Sequence, residues 1–247
     1  MSDATDTPLE REAGAATLAH WLTEARELRR AAGTDPLRAA RRARLREFQA
    51  ARLAATHADL LASPRYRHAA SFFLSDLYSP RDLSTRDSEI ERVLPIMTRL
   101  LPDSGLRALS LAAELDALSE RFDGAMTDAL GPRLDAPLSE ADYADAYRQV
   151  GDHAGRAHQI GLIRATGEML DRLAHKPGLR ALLKTMRKPA QLAGLGELQT
   201  FLERGFDAFR SMRSADEFLH LVIEREQQLA EALFNNNQSL TSHHETS

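Results

Sequence analysis

Charged and aromatic side chains concentrate in residues 71–87, whose sequence is SFFLSDLYSPRDLSTRD. A helix over 64–79 would place Asp76 on the same side as Phe72 and Phe73, which lie four and three residues earlier. A carboxylate beside buried rings needs a cationic or hydrogen-bonding partner, because burying it alone is very costly. The segment therefore predicts either a structural turn locked by its charges or a polar pocket inside a helical bundle.

A later predicted helix, over 140–175, adds two residues to this candidate polar site. Tyr147 and His158 share one apolar side of that helix at 100° per residue. A neutral histidine can accept a proton or bind a metal, but no second ligand follows it at helical spacing, so neither a metal nor a cofactor is assigned. The candidate polar site comprises Asp76, Tyr78, Asp82, Arg86, Asp87, Tyr147 and His158.

Two basic segments offer a second kind of site, for an anion. Eight arginines and three acids lie between residues 35 and 67, and six cations and no acid lie in 172–188. If the segments converge in space, they form a face that binds phosphate or nucleic acid. Otherwise their cations are solvated or paired internally. Within segments 38–67 and 172–188, the candidate anion-binding residues are Arg38, Arg41, Arg42, Arg44, Arg46, Arg180, Lys184, Arg187 and Lys188.

Helical phase also predicts which charged turns are buried. The stretch RAARRARLR, residues 38–46, distributes arginines all round a helix, so its turns are predicted to be unburied on every side. By phase, Glu114, Glu120 and Glu168 fall at boundary or exposed positions. These three glutamates are therefore not predicted to form a metal site in the bundle core.

The elements that must position these residues are helices. Aromatic residues make up 6% of the chain, and apolar residues recur three and four apart. Asp35-Pro36 and Ser139…Asp142 have the spacing of helix starts. The predicted fold class is all-α: a bundle of about eight to nine helices packed around a long central helix at about 140–175. The predicted helices lie near 9–31, 36–62, 64–79, 85–101, 104–130, 140–175, 178–187, 195–212 and 215–235.

Length and composition predict one helical domain with polar ends. The domain is expected over 8–235, between a disordered N-terminus at 1–7 and a disordered tail at 236–247. A formal net charge of −4 argues against an overall positive electrostatic field that would attract nucleic acid. The absence of cysteine, of an apolar run long enough to span a membrane and of a secretory leader predicts a cytoplasmic protein outside the membrane.

The turn segment also carries a family resemblance. Its pattern F-F-L-x-D-L-Y-x-P-x-D-x-x-x-R-D resembles a family of uncharacterised bacterial all-helical proteins. The similarity continues through AAELDALSERFD, YADAYRQVGD and ELQTFLERGFDAF. The resemblance implies a recurrent helical fold with no established activity, so it transfers no catalytic or binding residue.

Three functional hypotheses follow. The leading one is a non-enzymatic binding or protein-interaction module with its polar site at the 76–87 turn, acting on an unknown protein partner or self-associating as a homodimer. The second is a helical-bundle enzyme for a small molecule that uses Asp76, Asp87 and His158 in acid–base or metal chemistry. The third is anion or nucleic-acid binding through the basic segments, which is not favoured because interleaved aromatic residues are few.

Overall fold

In the computed structural model, residues 8–74 and 103–235 are described, and they form α-helices joined by short turns without any strand. One 3₁₀ turn follows α5 at Gly131–Asp135. The α-helices are α1 (Pro8–Gly33), α2 (Pro36–Thr56), α3 (Ala58–Ala62), α4 (Arg67–Phe72), α5 (Asp103–Leu130), α6 (Glu140–Val150), α7 (His153–Ala174), α8 (Leu179–Leu192), α9 (Gly196–Ser211) and α10 (Asp216–Phe234). The predicted all-α bundle is confirmed. No described helix is both long and apolar enough to cross a bilayer.

Two of the predicted helix starts form as the sequence indicates. The Asp35 carboxylate accepts a hydrogen bond from the backbone N–H of Leu37 at 2.9 Å, and Pro36 is the first residue of α2. The Ser139 hydroxyl accepts from the backbone N–H of Asp142 at 3.1 Å. Both contacts satisfy N–H groups that a helix start leaves without a partner.

The continuous helix predicted over 140–175 is wrong, because the chain breaks at Gly151. That residue has φ +67° and ends α6 in the left-handed conformation, which glycine adopts with little strain. The Asp152 carboxylate then accepts from the backbone N–H of Gly155 at 2.8 Å and starts α7. The predicted helix over 36–62 divides in a similar way, into α2 and α3 at His57.

The predicted central position of this helix is also wrong. One side of α7 faces solvent and the other is buried, so α7 is an outer helix. The exposed side carries small or polar residues: Ala154, Ala157, His158, Gly161 and Arg164. Alanine and glycine bury little apolar area, so their presence in an apolar phase does not drive that side inward. The central place belongs to α5, which packs on α1, α2, α6 and α7.

The largest core cluster lies where α4, α9 and α10 meet. Phe209 and Phe218 are buried there, and the Phe73 ring packs within 6.2 Å of both ring centroids. Phe72 is buried beside it and contacts Phe201. The predicted burial of Phe72 and Phe73 is confirmed, and the rest of the predicted turn lies outside the described residues.

An ion pair ties the short helix α3 to α10. The Arg225 guanidinium donates to both carboxylate oxygens of Asp59, at 2.7 and 2.8 Å. These hydrogen bonds lower the pKa of Asp59 to about 2. Because the folded state favours the carboxylate, this contribution to stability is complete above the ordinary pKa of 3.8 and is lost as pH falls through about 2.

We expect Asp59→Asn to make the protein less acid-sensitive. Near pH 6 the variant should be less stable than wild type by at most about 1 kcal/mol, because the pair is half exposed and screened by water. Near pH 2 the two proteins should have the same stability. Urea unfolding at both pH values measures this, and a stability difference that does not shrink in acid would contradict it.

Candidate functional site

The structure describes only two residues of the predicted polar site, and it separates them. Tyr147 is buried, whereas His158 is on the surface, with a side chain 57% exposed. The His158 Nε2 atom lies 2.8 Å from Glu114 Oε1 and links α7 to α5. The break at Gly151 explains the separation, because the two residues are on different helices. The other predicted members, Asp76, Tyr78, Asp82, Arg86 and Asp87, lie outside the described residues.

The arginines of the first basic segment bind acceptors within the protein. Arg38 donates to both oxygens of Asp128 at 2.8 and 2.9 Å, and Arg41 does the same to Asp135 at 2.9 and 2.7 Å. Arg44 donates to the backbone carbonyl that precedes Asp135, at 2.7 Å. These contacts support the internal-pairing alternative for the segment over binding of an external anion.

Arg42 and Arg46 converge on a buried carboxylate, Glu120, in the middle of α5. Glu120 is 4% exposed and accepts hydrogen bonds from Arg42, from Arg46 at 2.5 Å and from Arg29 at 3.1 Å. Arg29 also binds Asp116 on α5. The predicted boundary or exposed position of Glu120 is therefore wrong, and so is the prediction that no arginine in this part of α2 is buried, because Arg42 is 7% exposed.

This cluster is stable as a charged group because its members neutralise each other. Burial lowers the pKa of Arg42 to about 10, which leaves it protonated at neutral pH. Arg46 donates to Asp123 at 2.9 Å as well as to Glu120. Burying a charge is tolerated only when it is paired and hydrogen-bonded. We assign this cluster to structure, since its guanidinium groups face carboxylates of α5.

The second basic segment packs elsewhere. Arg187 donates to Glu203 at 2.6 and 2.8 Å, while Arg180 lies 3.9 Å from Asp207. Lys184 is exposed, as is the other predicted lysine of α8, Lys188. Helix α8 packs on α7 and α9, whereas α2 packs on α1, α3, α5 and the 3₁₀ turn. The two basic segments thus lie against different helices.

A cavity of about 260 Å³ lies within the bundle between α2, α5, α6, α7, α9 and α10. Its size is close to the lower end of the range for small-molecule sites, about 300–1,000 Å³. One end is polar and includes charged, amide and phenolic groups. These are Arg46, Gln49, Arg52, Asp116, Ser119, Glu120, Asp123, Tyr143, Tyr147, Arg156, Gln159 and Glu226. Four of them, Arg46, Asp116, Glu120 and Asp123, belong to the ion-pair cluster described above.

Two guanidinium groups at the polar end have buried nitrogen atoms with no hydrogen-bond partner among the described residues. They are Nε and Nη1 of Arg52 and Nη2 of Arg156. Arg156 Nη1 donates to the side-chain oxygen of Gln159 at 3.0 Å. Such buried donors cost free energy unless an acceptor satisfies them. A carboxylate or another oxyanion is the acceptor that guanidinium geometry suits best.

Aromatic rings hold both guanidinium groups in place. The Arg156 Cζ atom is 3.8 Å from the centroid of the Phe122 ring and 4.6 Å from that of Tyr147. The Arg52 Cζ atom is 5.4 Å from the centroid of Tyr143. Cation–π contacts of this kind orient a guanidinium without occupying its N–H groups. Both arginines are therefore positioned to bind and still carry open donors.

The charged groups at this end act on the buried hydroxyl of Tyr147. Burial raises the pKa of Tyr147 to about 12, while Arg156 and Arg52 lower it and Glu226 raises it. Tyr147 is consequently a neutral O–H group at physiological pH. The Glu226 Oε1 atom lies 3.3 Å from Nε2 of the buried His57. Outside the Glu120 cluster, the described residues of the polar end thus combine two arginines with one carboxylate.

Polarity changes along the cavity because α5 and α7 are antiparallel. Gln159 donates to Ser119 at 2.9 Å near the start of α7, and Lys176 donates to Ser104 at 3.1 Å beyond its end. The polar half of each helix thus meets the polar half of the other. Towards the opposite end the lining is apolar: Leu18, Leu22, Phe73, Leu109, Ile160, Ile163, Leu170, Leu198, Phe201 and Leu202. The cavity is amphipathic.

A wider surface groove, of about 620 Å³, lies between α4 and α9. Its lining mixes both signs of charge, with Arg180, Glu203 and Asp207 among the residues. Arg180 lies near Asp207 and Glu203 is bound by Arg187. Arg210, which also lines the groove, donates to the backbone carbonyl of Ala174 at 3.2 Å. Arg180 and Arg210 thus already face acceptors within the protein, and we do not assign the groove as the anion site.

Arg52 and Arg156 were given no role by the sequence reasoning, although Arg156 carries a signal. It is followed at helical spacing by Ile160, Ile163 and Leu170, which makes an arginine the first member of an apolar stripe. An arginine in that phase faces inward, so it must find a partner or a ligand. This pattern could have identified Arg156 before the structure was known.

Most of this chain, including the residues at the polar end of the cavity, matches a known family. The family model described as Domain of unknown function (DUF8198) matches residues 28–240. The chain belongs to this family. The resemblance to an uncharacterised family is confirmed, and every residue at the polar end of the cavity lies inside the matched range. No curated protein and no solved structure matches the chain.

Proposed function

We propose that this member of the family is a non-catalytic binding protein that holds a small organic anion in the cavity. Arg52 and Arg156 bind the anionic group, and the apolar end takes the rest of the ligand. The observation that supports this is the set of buried guanidinium nitrogens on one cavity that find no partner in residues 8–74 and 103–235. The proposal keeps the predicted class, a binding module, but uses the cavity and not the 76–87 turn, which lies outside the described residues.

The other hypotheses have less support from the geometry. The enzyme hypothesis needs His158 in a shared site, and His158 is a surface residue beside Glu114. Tyr147, with its pKa near 12, is a donor and not a base at neutral pH. The nucleic-acid hypothesis is weakened because Arg38, Arg41 and Arg42 of α2 are paired with carboxylates of the protein itself. Self-association and a cytoplasmic location remain proposals that rest on sequence alone.

Arg52→Met and Arg156→Met should each weaken binding of 1-decanesulfonate about tenfold to a hundredfold, and the double variant should abolish it. The reason is that a hydrogen bond to a charged group contributes about 1.5–3 kcal/mol. Isothermal titration calorimetry, with the ligand below its critical micelle concentration, measures the affinity. Arg38→Met is the matched control on α2, because Arg38 binds Asp128 away from the cavity, and it should bind as wild type does.

Folding of the variants is checked by thermal unfolding. Neither cavity arginine has a hydrogen-bonded carboxylate among the described residues, so each replacement leaves no acid without its partner. Arg156→Met also loses the hydrogen bond to Gln159, and both variants lose ring contacts. The melting temperatures should therefore stay close to that of wild type. Wild-type affinity in folded Arg52→Met and Arg156→Met would overturn the proposed function, as would the absence of binding by wild type.

A further inference from the structure

We infer that the ligand is a monocarboxylic acid with an unbranched apolar chain. This inference rests on the proposed function and adds the chemical class of the ligand. Three features of the cavity support it: its net charge, the number of its open donors and the shape of its apolar end.

The net charge at the polar end of the cavity favours a ligand with a single negative charge. Among the described lining residues, Arg52 and Arg156 contribute two positive charges and Glu226 contributes one negative charge. The other charged lining residues, Arg46, Asp116, Glu120 and Asp123, belong to the cluster in which three arginines are paired with three carboxylates. A monoanion leaves this end neutral. A phosphate monoester dianion would leave one excess negative charge close to Glu226. Where water is largely excluded, such an excess is costly, because charges interact more strongly at a lower effective dielectric constant.

The donors at the polar end match the acceptor capacity of one carboxylate. Three buried guanidinium nitrogens, two on Arg52 and one on Arg156, have no hydrogen-bond partner within the described part of the chain. The neutral Tyr147 hydroxyl on the same cavity is a fourth candidate donor. An ionised carboxylate has two oxygens and about four lone-pair positions. One carboxylate can thus satisfy both arginines at once, which an alcohol or an amide cannot do.

The apolar end fits a chain. Ile160, Ile163 and Leu170 lie along one side of α7 and line the cavity, and at about 1.5 Å per residue this wall is about 15 Å long. Leu198 and Leu202 of α9 also line the cavity. A cavity of about 260 Å³ that extends along such a wall has a narrow cross-section. It suits an unbranched chain better than a fused ring system.

The test compares three ligands with the same ten-carbon chain, by calorimetry on the wild-type protein at pH 8. Decanoate carries one negative charge, decyl phosphate two and decan-1-ol none. Decanoate should bind at least tenfold more tightly than either of the others, and Arg52→Met together with Arg156→Met should remove that preference. Tighter binding of decyl phosphate or decan-1-ol would overturn the inference.

A second arm tests the position of the chain. Leu202→Trp adds bulk to the apolar part of the cavity, so it should weaken binding of decanoate at least tenfold and weaken binding of the shorter hexanoate less. Equal weakening of both acids would contradict the assigned orientation. The two proposals can fail separately. If 1-decanesulfonate binds through the arginines but decanoate does not bind, the inference is wrong and the proposed function stands. If neither ligand binds, both are wrong.

Discussion

Replacing Glu120 with glutamine is expected to lower the free energy of unfolding by about 3–5 kcal/mol, the cost of breaking a buried ion pair by removing one partner. Glu120 is 4% exposed and accepts hydrogen bonds from three arginines. Glutamine keeps the shape but has no charge, and its amide group adds N–H donors that point at guanidinium groups. The variant would therefore leave positive charges buried without their shared counter-charge.

The expected loss is large because of burial and not because of the number of contacts. Asp128→Asn is the matched control, since Asp128 also receives two hydrogen bonds from an arginine of α2 but its side chain is 62% exposed. Solvent screens that pair, so its loss should cost less than about 1 kcal/mol. Urea unfolding of both variants gives the comparison. Equal losses would show that the Glu120 cluster is solvated.

A double-mutant cycle separates the cluster from its parts. Arg42→Met should also destabilise the protein, because it removes a buried partner of Glu120. Combining Arg42→Met with Glu120→Gln should cost clearly less than the sum of the two losses, since the second change removes a charge that the first left unpaired. Additive losses would mean that Arg42 and Glu120 do not act on each other.

Phe218→Ala is the second change with a large expected effect, a loss of about 3–5 kcal/mol in the free energy of unfolding. Phe218 is 1% exposed in the largest core cluster. Its ring centroid lies 5.8 Å from that of Tyr66 and 5.6 Å from that of Phe73. Alanine would remove apolar burial, open a cavity in packed surroundings and lose both ring contacts.

Two further variants serve as controls for Phe218→Ala. Phe218→Leu keeps most of the volume, so it should lose clearly less than Phe218→Ala. Leu192→Ala shortens an apolar side chain that is 90% exposed. It should therefore change the free energy of unfolding by no more than about 0.5 kcal/mol. Denaturation by urea measures all three. A loss below about 1 kcal/mol for Phe218→Ala would contradict the assigned packing of Phe218 against Tyr66 and Phe73.

Helix composition and start signals could be predicted from the sequence because they depend on near neighbours. Asp35 and Ser139 cap their helices through contacts two and three residues away. The burial of Phe72 and Phe73 was predictable for a similar reason, since large apolar rings have few stable positions outside a core. Gly151 is also a local signal. However, glycine is compatible with either a helix interior or a left-handed helix end, and the sequence pattern does not distinguish these two conformations.

The sequence by itself determined an all-helical chain and the starts of several helices, because hydrogen bonds within a helix join residues four apart. Only the tertiary structure decided what the charges do. Glu120 meets arginines more than seventy positions away, and Arg52 and Arg156 reach one cavity from separate helices. Periodicity reports which side of a helix a residue occupies and not what stands opposite it. For a charged residue, the opposite group decides between a buried partner, a ligand and water.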